Sequence, residues 1–202
     1  DELVPLVHFL NKKKRLAHRS LIRSLDSKRF VGFLEDWAEF LGSTDPVSPR
    51  PRNARRAVDA VASERILGVY RKILKKGGKI GPKTPAEALH QVRLDCKKLR
   101  YLMSFFQTLF PPRSMRALIK ELKSLQDNLG DFNDLQVQTN ALRDFADEML
   151  EEGVGPPATL MAMGQLMGQL EKQVEVERMA FHQRFEAFAR KGNRNRFEEL
   201  FG

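Results

Sequence analysis

The chain has 202 residues, with 35 Lys and Arg against 26 Asp and Glu, a formal net charge of +9. Its 42% hydrophobic content supplies a core and excludes an intrinsically disordered chain, and no apolar run approaches the ~20 residues of a membrane span. The single cysteine, Cys96, excludes an intramolecular disulfide or a multi-cysteine zinc site and fits a reducing compartment. The first residues, Asp1-Glu2-Leu3-Val4-Pro5, lack the basic and apolar segments of a secretion signal and begin without Met. The expectation is a cytoplasmic protein that starts part-way through a longer chain.

In chain order, residues 3–42 show helical periodicity, with Ser43-Thr44-Asp45-Pro46 as a stop. Three prolines in 46–51 make a linker, because proline fixes φ and removes an amide donor. A helix fits 54–76 and ends at Gly77-Gly78. Thr84-Pro85-Ala86-Glu87 reads as a start signal, with Thr84 as N-cap, Pro85 first in the helix and Glu87 completing a capping box. That helix runs to about Phe110, where Pro111-Pro112 stops it, and helix resumes from about Ser114 toward Leu150. After a break at 151–157, a long helix covers 158–190 and a short one follows Gly192. No stretch alternates with period two, so the fold class is all-α, a helical bundle of long antiparallel helices read as a single domain over 1–202. Arg29-Phe30 with Phe33, Trp37 and Phe40 weakly resembles Arg184-Phe185 with Phe188, Phe197 and Phe201, which suggests a duplicated helical unit.

The charge is concentrated rather than spread. Residues 1–100 hold 23 basic and 11 acidic side chains, whereas residues 101–202 hold 12 and 15. Such an excess creates a field that attracts polyanions. At 100° per residue, His90, Arg93, Lys97, Arg100 and Tyr101 share one sector of a helix, and Val92, Cys96, Leu99, Met103 and Phe106 the opposite one. The 115–129 segment repeats the design, with Arg116, Lys120, Lys123 and Asp127 opposite Leu118, Leu122, Leu125 and Leu129. In 65–79 the cations are Arg65, Arg71, Lys72, Lys75, Lys76 and Lys79, and a cruder cluster is Lys12-Lys13-Lys14-Arg15 with Arg19 and Arg23. A solvated helix face normally mixes signs. The 65–79 and 90–101 stripes read as free of acid, so facing one another they would require an anion between them.

Two motifs carry a family resemblance. Leu89-His90-x-x-Arg93-x-x-x-Lys97-Lys98-Leu99-Arg100-Tyr101-x-x-x-Phe105-Phe106 resembles the signature of CHAD domains, the conserved histidine α-helical domains. Downstream, Leu122-Lys123-x-Leu125-Gln126-Asp127-x-Leu129-Gly130-x-x-Asn133-Asp134 resembles that family's second signature. The resemblance implies a helical bundle with a basic central groove or pore that binds inorganic polyphosphate, association with polyphosphate granules, and in some proteins fusion to a triphosphate-hydrolysing CYTH domain. Carried over residue by residue, it makes His90, Arg93, Lys97, Arg100 and Lys123 ligand-facing, with Tyr101, Gln126, Asn133 and Asp134 matching the motif in structural positions. The family is built from two related halves, and only one clear copy occurs here. His8 precedes Lys13-Lys14-Arg15, but the basic pair comes two residues too early. The expectation is a domain lacking its N-terminal half.

The residues support a phosphate chain on their own terms. Polyphosphate has no bases, so it requires closely spaced cations and no stacking platform. Lys and Arg rungs about 5.4 Å apart along a helix meet that need, Arg gripping two oxygens and Lys acting as a point charge. The candidate binding set is His90, Arg93, Lys97, Lys98, Arg100, Lys123, Lys120, Arg116, Arg65, Lys72, Lys76 and Arg19. RNA or DNA binding is the alternative. It calls for exposed aromatics between the cations, and Phe105, Phe106, Phe110, Phe132, Phe181, Phe185 and Phe188 mostly occupy core positions.

Other chemistries find less support. Gly77-x-x-x-x-Pro82-Lys83-Thr84 misses the phosphate-binding loop because Pro82 has no amide to donate. His8, His18, His90 and His182 lack metal-ligand spacing, and Asp127 and Asp134 read as orienting Arg and Lys across the bundle. Cys96 lies on an apolar face, and Met161, Met163 and Met167 read as core filling. No nucleophile–base pair can be assembled. The reading is a non-catalytic polyanion-binding protein without cofactor, metal or membrane, or alternatively an accessory domain of a triphosphate or polyphosphate hydrolase.

Overall fold

The computed structural model describes residues 2–43 and 52–202. The Pro-rich linker inferred for 46–51 lies outside them. The described residues form an all-α bundle of seven helices and one 3-10 turn, without strands: α1 (Val4–Leu25), α2 (Lys28–Gly42), α3 (Val58–Gly77), α4 (Ala86–Phe105), the turn Gln107–Leu109, α5 (Pro112–Glu151), α6 (Pro157–Ala189) and α7 (Lys191–Phe201). The chain divides into two compact units. One comprises Asp1–Ala54 with Leu142–Leu166, the other Arg55–Ala141 with Met167–Gly202.

In the first unit the periodic stretch 3–42 is two helices, not one. Ser27 caps α2, its hydroxyl accepting a hydrogen bond from the Phe30 amide at 3.2 Å, which satisfies one of the donors a helix start leaves open. Leu6 and Phe9 of α1 pack with Met149 and Met163, and the Phe9 and Phe145 rings meet edge-on at 5.9 Å. Of the methionines read as core filling, Met163 is fully buried but Met161 is 70% exposed. Nothing on α2 is buried; Phe33, Trp37 and Phe40 are exposed and stacked along the helix. Their counterparts in the proposed duplication, Phe185, Phe188, Phe197 and Phe201, are buried. The sequence likeness therefore does not extend to burial.

The second unit holds the larger core. α5 contributes Leu118, Leu122, Leu125 and Leu129, with Met115 and Phe132 at either end. The alternating steps of four and three keep the side chains on one stripe, and each such leucine contributes about 1.5–3 kcal/mol on burial. α4 adds Leu89 together with Val92, Cys96, Leu99 and Met103 of the predicted apolar sector, whose Phe106 is only half-buried, and α3 adds Ile66, Tyr70 and Ile73. α7 closes this core by stacking Phe197 on Tyr70, centroids 3.7 Å apart. Asn128 on α5, itself buried, donates to the Glu177 carbonyl and carboxylate on α6 at 2.9 and 2.7 Å. Further along the same antiparallel pair, Arg190 reaches Glu121 at 2.5 Å.

Both ends of α4 differ from the sequence expectation: it stops at Phe105 rather than about Phe110, the 3-10 turn Gln107–Leu109 following. α4 starts at Ala86 without a side-chain cap. Thr84 instead closes the preceding turn, its hydroxyl accepting from the Gly81 amide at 2.9 Å while its carbonyl accepts from Arg178 at 2.6 Å. The tertiary contact with Arg178 fixes the loop and takes the place of the capping box. Gly77 ends α3 as expected, and an added Cβ there would fall inside the Phe185 ring. Gly77→Ala is expected to destabilise the fold by about 1–3 kcal/mol through overpacking, despite the better helix propensity of Ala. Denaturant unfolding at unchanged m-value measures it.

A candidate polyanion-binding face

α4 presents its cations on a rod anchored from behind by Leu89, Val92, Cys96, Leu99 and Met103. His90 sits at its start, half-buried, with Nδ1 2.9 Å from Asn133 Oδ1 on α5. The Asn133 amide nitrogen donates to Asp134 at 3.3 Å. That orients the amide oxygen toward the ring, so Nδ1 is the protonated nitrogen and Nε2 is left for other contacts. Arg93 lies one turn further on, 4.0 Å from Asp134. The two signature segments are thus joined by one chain of polar contacts, His90–Asn133–Asp134–Arg93. Asp134 does orient an arginine across the helix pair, as the sequence suggested. Asp127 does not: it pairs with Lys123 on its own helix at 2.6 Å.

Lys97, Lys98 and Arg100 form no ion pair among the described residues, nor do Arg116 and Lys120 on the exposed side of α5. Arg100 lies over the ring of Tyr101, 5.3 Å from its centroid, a contact that leaves its charge uncompensated.

The α3 cations are arranged otherwise. Asp95, buried on α4, takes Lys72 at 2.9 Å and Lys76 at 2.7 Å. Burial pushes its carboxyl up, but the Lys76 and Lys72 ammonium groups outweigh that and hold it below the ordinary carboxylate value. Arg71 contacts both carboxylate oxygens of Glu198 on α7 at 3.0 Å. Within the 65–79 stripe, Arg71, Lys72 and Lys76 therefore meet acids, contrary to the acid-free reading, with Lys72 and Lys76 as partners of Asp95, whereas Arg65, Lys75 and Lys79 form no ion pair among the described residues. The structure supplies in Asp95 the counter-ion that the sequence reading assigned to a ligand. Arg65, Arg71, Lys72 and Lys98 line one cleft together with Glu64, Asp95 and Glu198, so this surface is mixed in sign.

Asp95 and Glu198 were missed because nothing in a single helix pattern says which neighbour an acid faces. Asp95 does lie off the cationic sector of α4, on the flank toward the apolar side, and that is the only signal the sequence offers. Arg19 belongs to the first unit. There Lys12 pairs with Glu152 at 2.7 Å and Lys13 with Glu148, whereas His8, Asn11, Lys14, Arg15, His18 and Arg19 line a common surface of α1.

Among the aromatics assigned to the core, Phe132, Phe181, Phe185 and Phe188 are buried and Phe110 packs against them. Phe105 is not: it is 79% exposed, beside Lys98 and Tyr101. It lies on the side of α4 that also carries the exposed Leu94 and Tyr101, away from the face packed in the core.

Cys96 is fully buried, and burial, with the neighbouring Asp95 charge, pushes its thiol up to about 12. It is expected to resist thiol reagents in the native protein and to react stoichiometrically once unfolded, as a spectrophotometric thiol assay with and without denaturant would show.

Fold and site together define an all-α protein that displays unpaired cations on a core-anchored helix. The chain belongs to the CHAD domain family, whose model matches residues 1–143, including all of α4 and both signature segments. No curated protein matches the chain. Among the described residues, no helix is long and apolar enough to cross a membrane.

Proposed function

We propose that this protein binds inorganic polyphosphate, or a similar phosphate-rich polyanion, without chemical turnover. The observation that carries the reading is the α4 face: Lys97, Lys98 and Arg100 without an acid partner on a helix whose other side is packed in the core. Arg93 and His90 extend it at one end, and Lys123, Lys120 and Arg116 broaden it on α5. A helix fixes the spacing of these cations, so a phosphate chain has only their side chains to order and no backbone. Membership of the CHAD family supports the same ligand and the granule association expected from the sequence.

Lys72 and Lys76 enter this reading as reserve cations, because a phosphate chain would have to compete with Asp95 for them. The non-catalytic assignment rests on the candidate groups themselves: Cys96 is buried with a raised thiol pKa, and His90 is tied through Nδ1 to an amide rather than to an acid. An accessory role beside a hydrolase, with a neighbouring CYTH-type domain supplying the acids, uses the same face.

Calorimetric titration with long-chain polyphosphate tests the reading. Binding should weaken steeply as salt rises, because phosphate contacts release counterions. No complex with polyphosphate at low salt, by titration or by co-sedimentation, or release of phosphate from the chain by this protein with Mg²⁺, would overturn it.

A further inference from the structure

The C-terminal half of α4 carries aromatic surface that neither the core nor a phosphate chain uses. Tyr101 is 57% and Phe105 79% exposed; four residues apart, they lie about 6 Å from one another along one helix face. With Leu94, Leu102 and Phe106 they floor a shallow concavity of about 570 Å³, and Lys97 and Lys98 complete its lining. Phe106 braces Phe105 edge-on, centroids 4.8 Å apart, and is itself half-buried. Arg100 adds a third cation beside Tyr101.

Each simpler occupant leaves part of this surface unused. A phosphate chain has no group to lay on an aromatic ring. An apolar protein partner would leave Lys97, Lys98 and Arg100 at its edge without counter-ions. A base-bearing strand uses both, since its planar bases stack on aromatic side chains and its phosphates take the cations.

We propose that this end of α4 binds single-stranded nucleic acid, with a base stacked on Phe105 and the adjoining phosphates on Lys97, Lys98 and Arg100. The inference rests on the reading that the α4 cations contact phosphate, and it adds a second ligand class to the same face.

Fluorescence anisotropy with three ligands tests it: a short labelled oligothymidylate, an abasic strand of equal length, and polyphosphate as competitor. The wild type should prefer the oligothymidylate to the abasic strand by about tenfold, the scale of one stacked base. Phe105→Ala should remove that preference and leave polyphosphate affinity unchanged, and Phe105→Trp should restore it. Since Phe105 is exposed, both variants should keep wild-type unfolding curves. Equal affinity for the two strands, or a preference indifferent to Phe105→Ala, would overturn the proposal while polyphosphate still binds. A change in sedimenting mass in Phe105→Ala without a change in strand preference would mean that the face is a protein contact. Failure of polyphosphate and abasic strand alike would instead sink the underlying phosphate reading.

Discussion

Replacing Arg93, Lys97 and Arg100 together by Glu should abolish polyphosphate binding and leave the helical circular dichroism intact. The three side chains extend from one helix over about 10 Å, and each hydrogen bond from a charged group contributes about 1.5–3 kcal/mol. Removing three of them costs about 4–9 kcal/mol, at least a thousandfold in affinity. Reversal adds repulsion to that cost. Lys97 and Arg100 have no acid partner in the fold, so its stability has little stake in their charge. Arg93 differs, because Glu at that position would stand near Asp134. The Lys97→Glu/Arg100→Glu pair therefore serves as the fold-neutral comparison, expected to cost at least a hundredfold. Calorimetry over a salt series adds a second readout: removal of three phosphate interactions should flatten the log K against log salt slope by about 2. Wild-type affinity in the double variant, or an unfolded spectrum, would show that the α4 cations serve the fold and not a ligand.

The second large effect concerns Asp95. Asp95→Asn should lower stability by about 2 kcal/mol, the scale of a hydrogen bond between a buried carboxylate and an ammonium group. It should at the same time raise polyphosphate affinity, because Lys72 and Lys76 are then without a counter-ion. The two readouts moving in opposite directions distinguish this variant from simple damage, which lowers both. The pH dependence follows from the direction of the shift. The folded carboxyl titrates below its ordinary value of 3.8, so its contribution is fully present above the carboxylate range. It is lost as pH falls through the depressed folded value. Wild-type unfolding free energy should therefore decline below about pH 4 with a component that Asp95→Asn lacks. An acid limb of unchanged slope in the variant would show that the two lysines do not stabilise the carboxylate.

The pairing at Asp95 also changes the electrostatic picture of the chain. The excess of cations in residues 1–100 suggested opposing bare stripes on what are now α3 and α4. In the folded second unit, Arg71, Lys72 and Lys76 of α3 are instead held by Glu198 and Asp95, and the ligand reading rests on the unpaired cations of α4 and the exposed side of α5. The exposed Arg71–Glu198 pair contributes at most about 1 kcal/mol. Its effect is on the distribution of charge more than on stability.

What the sequence determined is what depends on one helix at a time. Apolar residues at steps of three and four placed the cores of α4 and α5 correctly, because a helix must turn that stripe away from water whatever its neighbours are. The same periodicity put Arg93, Lys97 and Arg100 opposite the core, and the two signature segments identified the family. Prolines and glycines marked most ends, since they act on the backbone of their own position. The interruption at Asp26-Ser27 was less legible, for the apolar pattern continues through it.

What only the tertiary structure decided involves residues far apart in the chain. Asp95 meets Lys72 and Lys76, Glu198 meets Arg71, and Arg178 takes the Thr84 carbonyl that a capping box would have left alone. A helical wheel gives the direction of a side chain but not what stands in front of it. Phe105 shows the same limit from the other side: an aromatic residue type suggested core, and only the fold shows that the helix side it shares with Leu94 and Tyr101 is left open to solvent. Charge compensation and solvent exposure are properties of pairs of elements, and the fold alone brings those pairs together.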